Sequence, residues 1–134
     1  MAKPEKVLFV CVENAGRSQM AEGFLRKFAP HLDVISAGTK PRSQLIPTVI
    51  DVMKEVGIDI TEQKPKELTN EMISQSITVN MGCMDKESCP ALFVNDVIDW
   101  NISDPKDKDI EKIREIRDQI KNEVLNLIKK IEEQ

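Results

Sequence analysis

The chain has no tyrosine, one tryptophan (Trp100) and one histidine (His31), and aromatic residues make up only 4% of it. A pocket that grips a substrate ring between aromatic walls would have little to build them from. With one histidine, set in a loop after Pro30, a Cys–His or Ser–His–Asp mechanism has no convincing base. The three cysteines, Cys11, Cys83 and Cys89, are an odd number. The start of the chain, Met1–Lys6, is too short and charged for a signal peptide, so a structural disulfide framework is not expected. Nor do these cysteines and the distant His31 show the paired short spacings of a zinc site. No apolar run approaches the roughly 20 residues of a membrane span. The net charge is −4, with no basic block, so neither nucleic acid nor a membrane is expected as a partner. The expectation is a soluble, cytoplasmic protein, monomeric by default. Its 134 residues are read as one domain, 1–134, long enough to bury a proper core.

The apolar patterns then give an order of elements. Lys6–Val12 reads as a strand, apolar without strict alternation and therefore buried on both faces. Arg17–Phe28 reads as a helix with Met20, Ala21, Phe24, Leu25 and Phe28 on its apolar face, stopped by Pro30. Asp33–Ser36 is a second strand leading into a loop at Ala37. A second helix runs from about Ile46 to Val56, with Gly57 as its stop. Ile58–Ile60 is an extended connector. Thr69 or Asn70 caps a short helix ending near Gln75. Ile77–Met81 and Val97–Trp100 are the third and fourth strands. A long amphipathic helix, about Asp109 to Glu132, places Ile110, Ile113, Ile116, Ile120, Val124, Leu127, Ile128 and Ile131 on one face, its last two turns, with Lys129 and Lys130, projecting past the core. Strands alternating with helices predict an α/β fold: a four-stranded parallel sheet in a three-layer α/β/α arrangement. Ligands bind such sheets off the carboxyl ends of the strands. Cys11, Cys83 and Asp104 all fall there.

The stretch Val7–Ser18, VLFVCVENAGRS, carries the chemistry. A thiol at a strand end, a short loop, an arginine and a helix start together form a cradle for an oxyanion. Backbone N–H groups of Cys11, Val12, Glu13, Asn14, Ala15, Gly16 and Arg17 and the helix N-terminus favour negative charge, and Arg17 can fork two donors onto it. Gly16 suits a loop whose backbone must approach the anion closely. The same positive field should favour the thiolate of Cys11 as a nucleophile, with Ser18 donating to it. A plain alternative is that Cys11 is a small core residue. Asp104, next to Pro105, reads either as a turn residue or as a general acid, near other anions and partly desolvated. Cys83 and Cys89 are either ordinary buried thiols or a redox pair whose loop folds back to disulfide distance.

These residues resemble a known family. CVENAGRS at Cys11–Ser18 looks like the C-x5-R-S loop of low-molecular-weight protein tyrosine phosphatases. More closely, the chain is similar to the thioredoxin-coupled arsenate reductases that share that fold. The likeness runs through CVENAGRSQMAEGF from Cys11, ISAGT from Ile35, VMKEVGIDI from Val52, TVNMGC from Thr78 with Cys89-Pro90, and Trp100, Asp104-Pro105 and Ile116-Arg117-Asp118. It covers nearly the whole chain, and the pair Cys83 and Cys89 points to the reductase branch.

The resemblance implies a relay. Cys11 attacks arsenate held by the loop and Arg17, while Asp104 protonates the departing oxygen. Cys83 then attacks Cys11, and Cys89 attacks Cys83, moving the disulfide from Cys11–Cys83 to Cys83–Cys89. Thioredoxin or another dithiol reduces it, and no metal or organic cofactor is required. Some family members bind potassium beside the loop. Asn14, Glu22 and Ser36 match positions used there, but the fourth, acidic, position has no counterpart around Lys66–Glu67. The rival expectations are a tyrosine phosphatase working through a Cys11 phosphocysteine, and a non-catalytic redox sensor or binding module. Some phosphatase activity is expected in either enzyme, because the loop distinguishes arsenate poorly from phosphate.

Overall fold

A computed structural model describes residues 6–81, 97–105 and 107–133. Four strands form one sheet in the order β2-β1-β3-β4: β1 Lys6–Cys11, β2 Asp33–Gly38, β3 Ile77–Asn80 and β4 Val97–Asp99. All three pairings are parallel. The central strand, β1, is apolar without alternation because both its faces are covered. Val7, Leu8, Phe9 and Val10 are each fully buried, and full burial of such side chains contributes about 1.5–3 kcal/mol apiece.

The two faces are covered unequally. Val7, Phe9 and Cys11 meet the large core formed with α1 (Arg17–Phe28), α2 (Pro47–Glu55) and α4 (Ile110–Glu132). Leu8 and Val10 face a smaller cluster with Ala37 and Ile73, beneath the short α3 (Asn70–Ser74). Thr69 caps α3 by accepting from the Met72 amide, and Asp109 caps α4 by accepting from the Lys112 amide. Helix α2 has Pro47 in its first turn, where its missing N–H costs nothing. It is stopped by Gly57, whose φ of +80° suits glycine best.

Several boundaries differ from the sequence expectation. Strand β2 runs on through Ala37 to Gly38, since Ala37 pairs with Val10 and Gly38 with Cys11. Beyond it, Gly38 also bridges to Glu67, so the 64–68 segment borders the strand's end. Ile110 lies in the first turn of α4 and is exposed, ahead of the point where the helix meets the core at Ile113. At the other end, Ile128 and Ile131 are buried, so the last turns stay on the core rather than projecting from it. Phe28 is partly exposed, stacked on Phe24 with the Lys121 ammonium over its ring. Among the described residues, no helix is long and apolar enough to cross a membrane.

Candidate active site

Parallel pairing brings the carboxyl ends of the strands to one edge, and the loop after β1 lies there. Its conformation follows from where its carbonyls go. Val12 O accepts from the Lys40 amide at 2.9 Å, Glu13 O from Arg42 at 3.0 Å and Ala15 O from Ile46 at 3.1 Å. Asn14 O accepts from the Gln19 side-chain amide at 2.9 Å. In a trans peptide the next N–H points opposite to the carbonyl, and none of the described peptides is cis. The N–H groups of Glu13, Asn14, Ala15 and Gly16 therefore point away from these partners. Helix α1 begins at Arg17 with no side-chain cap and no acidic residue in its first turn, so its N-terminal field is directed at the same place.

The result is a cavity of about 380 Å³ lined by Cys11, Val12, Glu13, Ala15, Gly16, Arg17, Ile46 and Asp104. Its lining contains no aromatic side chain among the described residues. Trp100 is instead buried against Phe9, with ring centroids 5.6 Å apart. Ile46 was not anticipated as a wall, because its place there depends on the 40–46 segment wrapping the loop. A larger cavity, about 750 Å³, opens beside Glu22, Arg26 and Lys66. It contains neither Cys11 nor Arg17 and belongs to a different surface.

Arg17 is buried and held by backbone carbonyls. Its Nη1 donates to Ile102 O at 2.8 Å and to Met81 O at 3.3 Å, and its Nη2 lies 3.7 Å from Asp104 Oδ2. Carbonyls beyond the ends of β3 and β4 thus orient the guanidinium across the cradle. Asp104 is 54% exposed. It lines the cavity with its side chain partly covered.

Beneath the cradle, Cys11 Sγ lies 2.9 Å from Ser18 Oγ, and Ser18 Oγ accepts from Asn14 Nδ2 at 2.8 Å. Because the hydroxyl oxygen takes the Asn14 amide, its own hydrogen can be directed at the sulfur. Asn14 does not line the cavity. It is fully buried, with φ of +50°, and its side chain holds the loop from below. Asn14 Oδ1 accepts from the Lys66 amide at 2.8 Å and from Gln19 Nε2 at 3.1 Å. The left-handed residue of the loop is thus an asparagine fixed by its own side chain. Gly16 answers a different need: a Cβ there would stand 2.9 Å from the Pro105 ring and 3.3 Å from Ile46. Gln19 and Gln63, which complete this network with Lys66, escaped the sequence reading. A buried glutamine leaves no mark in an apolar pattern.

Glu22 and Ser36 meet in one buried cluster, and Asn14, also buried, joins it through Lys66, but the charges there do not fit a potassium ion. Glu22 Oε2 accepts from Arg26 Nε and Nη2, at 3.1 and 2.8 Å, and Oε1 accepts from Ser36 Oγ at 2.6 Å. Lys66 Nζ stands 3.8 Å from Oε1. Asn14 Oδ1 already takes two donors. One carboxylate thus faces two cations, and a third would meet net repulsion. Cys83 and Cys89 lie outside the described residues.

Comparison with known proteins agrees with this geometry. The family described as low molecular weight phosphotyrosine protein phosphatase matches residues 6–134. A glutaredoxin arsenate reductase of Synechocystis sp. is 39% identical over 130 residues, covering 95% of this chain and 98% of that protein. A solved arsenate reductase in the phosphate binding state is 34% identical, with a TM-score of 0.81, covering 95% of this chain and 98% of the other. The thioredoxin-dependent arsenate reductase of Corynebacterium glutamicum is 35% identical with a TM-score of 0.80, and the match covers 98% of this chain and 63% of that longer one. The chain belongs to the low molecular weight phosphotyrosine protein phosphatase family, with arsenate reductases among its relatives.

Proposed function

We propose that the protein is an arsenate reductase that uses Cys11, Cys83 and Cys89 in turn and is regenerated by thioredoxin or a similar dithiol donor. The carrying observation is the small cradle, in which Cys11, Arg17 and Asp104 meet in one cavity without an aromatic wall among the described residues. Such a space suits a tetrahedral oxyanion better than an aryl ester. Relatives named as arsenate reductases that match nearly the whole chain support the same reading.

In the first step the Cys11 thiolate attacks arsenic(V) bound by the loop N–H groups and Arg17. An As–S bond forms, and an oxygen leaves as water with a proton from Asp104. The Cys83 thiolate then attacks Cys11 Sγ. The S–S bond forms as the As–S bond breaks, and its electron pair stays on arsenic, which departs as arsenite. Cys89 attacks Cys83, releasing the Cys11 thiolate and leaving Cys83–Cys89 as the disulfide. A dithiol donor reduces that bond. Two thiols supply both electrons, so no step calls on a metal or organic cofactor. Hydrolysis of a phosphate ester on the same cradle would use neither Cys83 nor Cys89, and a slow activity of that kind is expected.

Peptide mapping tests this directly. Reduced protein treated with arsenate in the absence of a donor should release one arsenite per chain and carry a Cys83–Cys89 disulfide. Arsenite release without that disulfide, or no release at all, would contradict it.

A further inference from the structure

Glu22 is 2% exposed, and a buried carboxylate is stable only when its charge is answered. Arg26, one helical turn on, holds Oε2 with two nitrogens. The other oxygen, Oε1, faces Ser36 and the ammonium of Lys66. That ammonium is steered there by a 2.7 Å bond to Lys64 O. The main chain of the same residue ties the cluster to the cradle. The Lys66 amide donates to Asn14 Oδ1 at 2.8 Å, and Lys66 O accepts from Gly38 N at 2.9 Å. Asn14 in turn holds Ser18, which touches Cys11.

We propose that Lys66 is a positioning residue whose ammonium serves as the built-in monovalent cation of the Asn14–Glu22–Ser36 cluster, so that the oxyanion loop is held in shape without an alkali ion. The geometry supports this in two ways. The carboxylate between Arg26 and Lys66 leaves no negative charge to attract a third cation. And the lysine's main chain lies two hydrogen bonds from Ser18, so a shift that reseats its side chain is transmitted to the loop. Burial pushes the Lys66 ammonium below its ordinary pKa, with Glu22 opposing that and Arg26 adding to it, as befits a charge drawn inward toward an anion. The inference needs only that the loop binds an oxyanion. It does not depend on arsenate being the substrate, and its readouts are independent of reduction.

The test compares wild type, Lys66→Met and Lys66→Arg in potassium, sodium and tetramethylammonium chloride at equal ionic strength. Thermal midpoint and affinity for inorganic phosphate are the readouts. Wild type should show the same values in all three salts. Lys66→Met should unfold roughly 5 °C lower and bind phosphate several-fold more weakly in tetramethylammonium, with most of both losses restored by potassium. Lys66→Arg should follow wild type. Tighter binding or a higher midpoint of wild type in potassium than in tetramethylammonium would overturn the proposal. So would a Lys66→Met protein equal to wild type, or one whose defect is the same in every salt. If Lys66→Met fails to fold, Lys66→Gln carries the same comparison, and the wild-type salt series stands without either variant.

Discussion

The Ser18 hydroxyl lies 2.9 Å from the Cys11 sulfur and is held on its other side by the Asn14 amide. The proposed nucleophile thus has beside it a hydroxyl whose hydrogen can be directed at the sulfur. Hydrogen bonds to charged groups are worth about 1.5–3 kcal/mol. Ser18→Ala should therefore slow alkylation of Cys11 by iodoacetamide at neutral pH by about tenfold or more, as the thiolate fraction falls. Mass spectrometry of the Cys11 peptide against time reads this. An unchanged rate would mean that the hydroxyl does not stabilise the thiolate.

Asp104 Oδ2 stands 3.7 Å from Arg17 Nη2 at the mouth of the cavity. If it protonates the leaving oxygen, Asp104→Asn should slow the first chemical step by about 100-fold or more. Phosphate binding should hold or tighten, because a negative charge beside the anion is removed. Rapid-quench single turnovers with arsenate, together with phosphate titration, separate the two effects. A variant that loses phosphate affinity and keeps its rate would contradict the role.

Gly38 closes the end of β2 against the start of the loop. A Cβ there would fall against the Val12 carbonyl oxygen and 2.6 Å from that of Cys11. Both are backbone atoms that cannot swing aside, so Gly38→Ala should cost about 1–3 kcal/mol or more. Urea unfolding measures it, and a neutral substitution would show that the loop has room to move.

Much of this was legible locally, and the rest depends on distant pairings. The bounds of α1 at Arg17 and Phe28 follow from apolar spacing and Pro30, and the structure reproduces them. The C-x5-R spacing marked the cradle, and the apolar run of β1 marked its central place. Ala37 and Gly38 looked like a loop because small residues give no strand signal; they are strand because β1 pairs with them. Gly16 lines the cavity, while the positive φ of the loop belongs to Asn14. Only its partners Gln19, Ser18 and Lys66 explain why an asparagine serves. Those contacts span up to 52 positions along the chain, beyond any local pattern.

Glu55 joins α2 to α4 by accepting from Arg114 Nη2 at 2.7 Å and Arg117 Nη1 at 2.9 Å. The Arg114 guanidinium above all, with Arg117, holds its carboxyl below the usual 4.5. A carboxyl with a lower value folded than unfolded adds stability that is complete above 4.5 and is lost as pH falls through the folded value. The gap in urea midpoint between wild type and Glu55→Gln should therefore be widest near neutrality and shrink in acid. Parallel curves down to the acid limb would contradict this.

The central claim is that three thiols act in sequence on an oxyanion held over Cys11. It is tested most directly by arsenate-dependent oxidation of reduced thioredoxin, measured beside hydrolysis of a chromogenic phosphate ester, in wild type, Cys83→Ser and Cys89→Ser. The account predicts that both variants lose arsenate turnover while retaining whatever ester hydrolysis the wild type shows. Undiminished arsenate turnover in Cys83→Ser would contradict it.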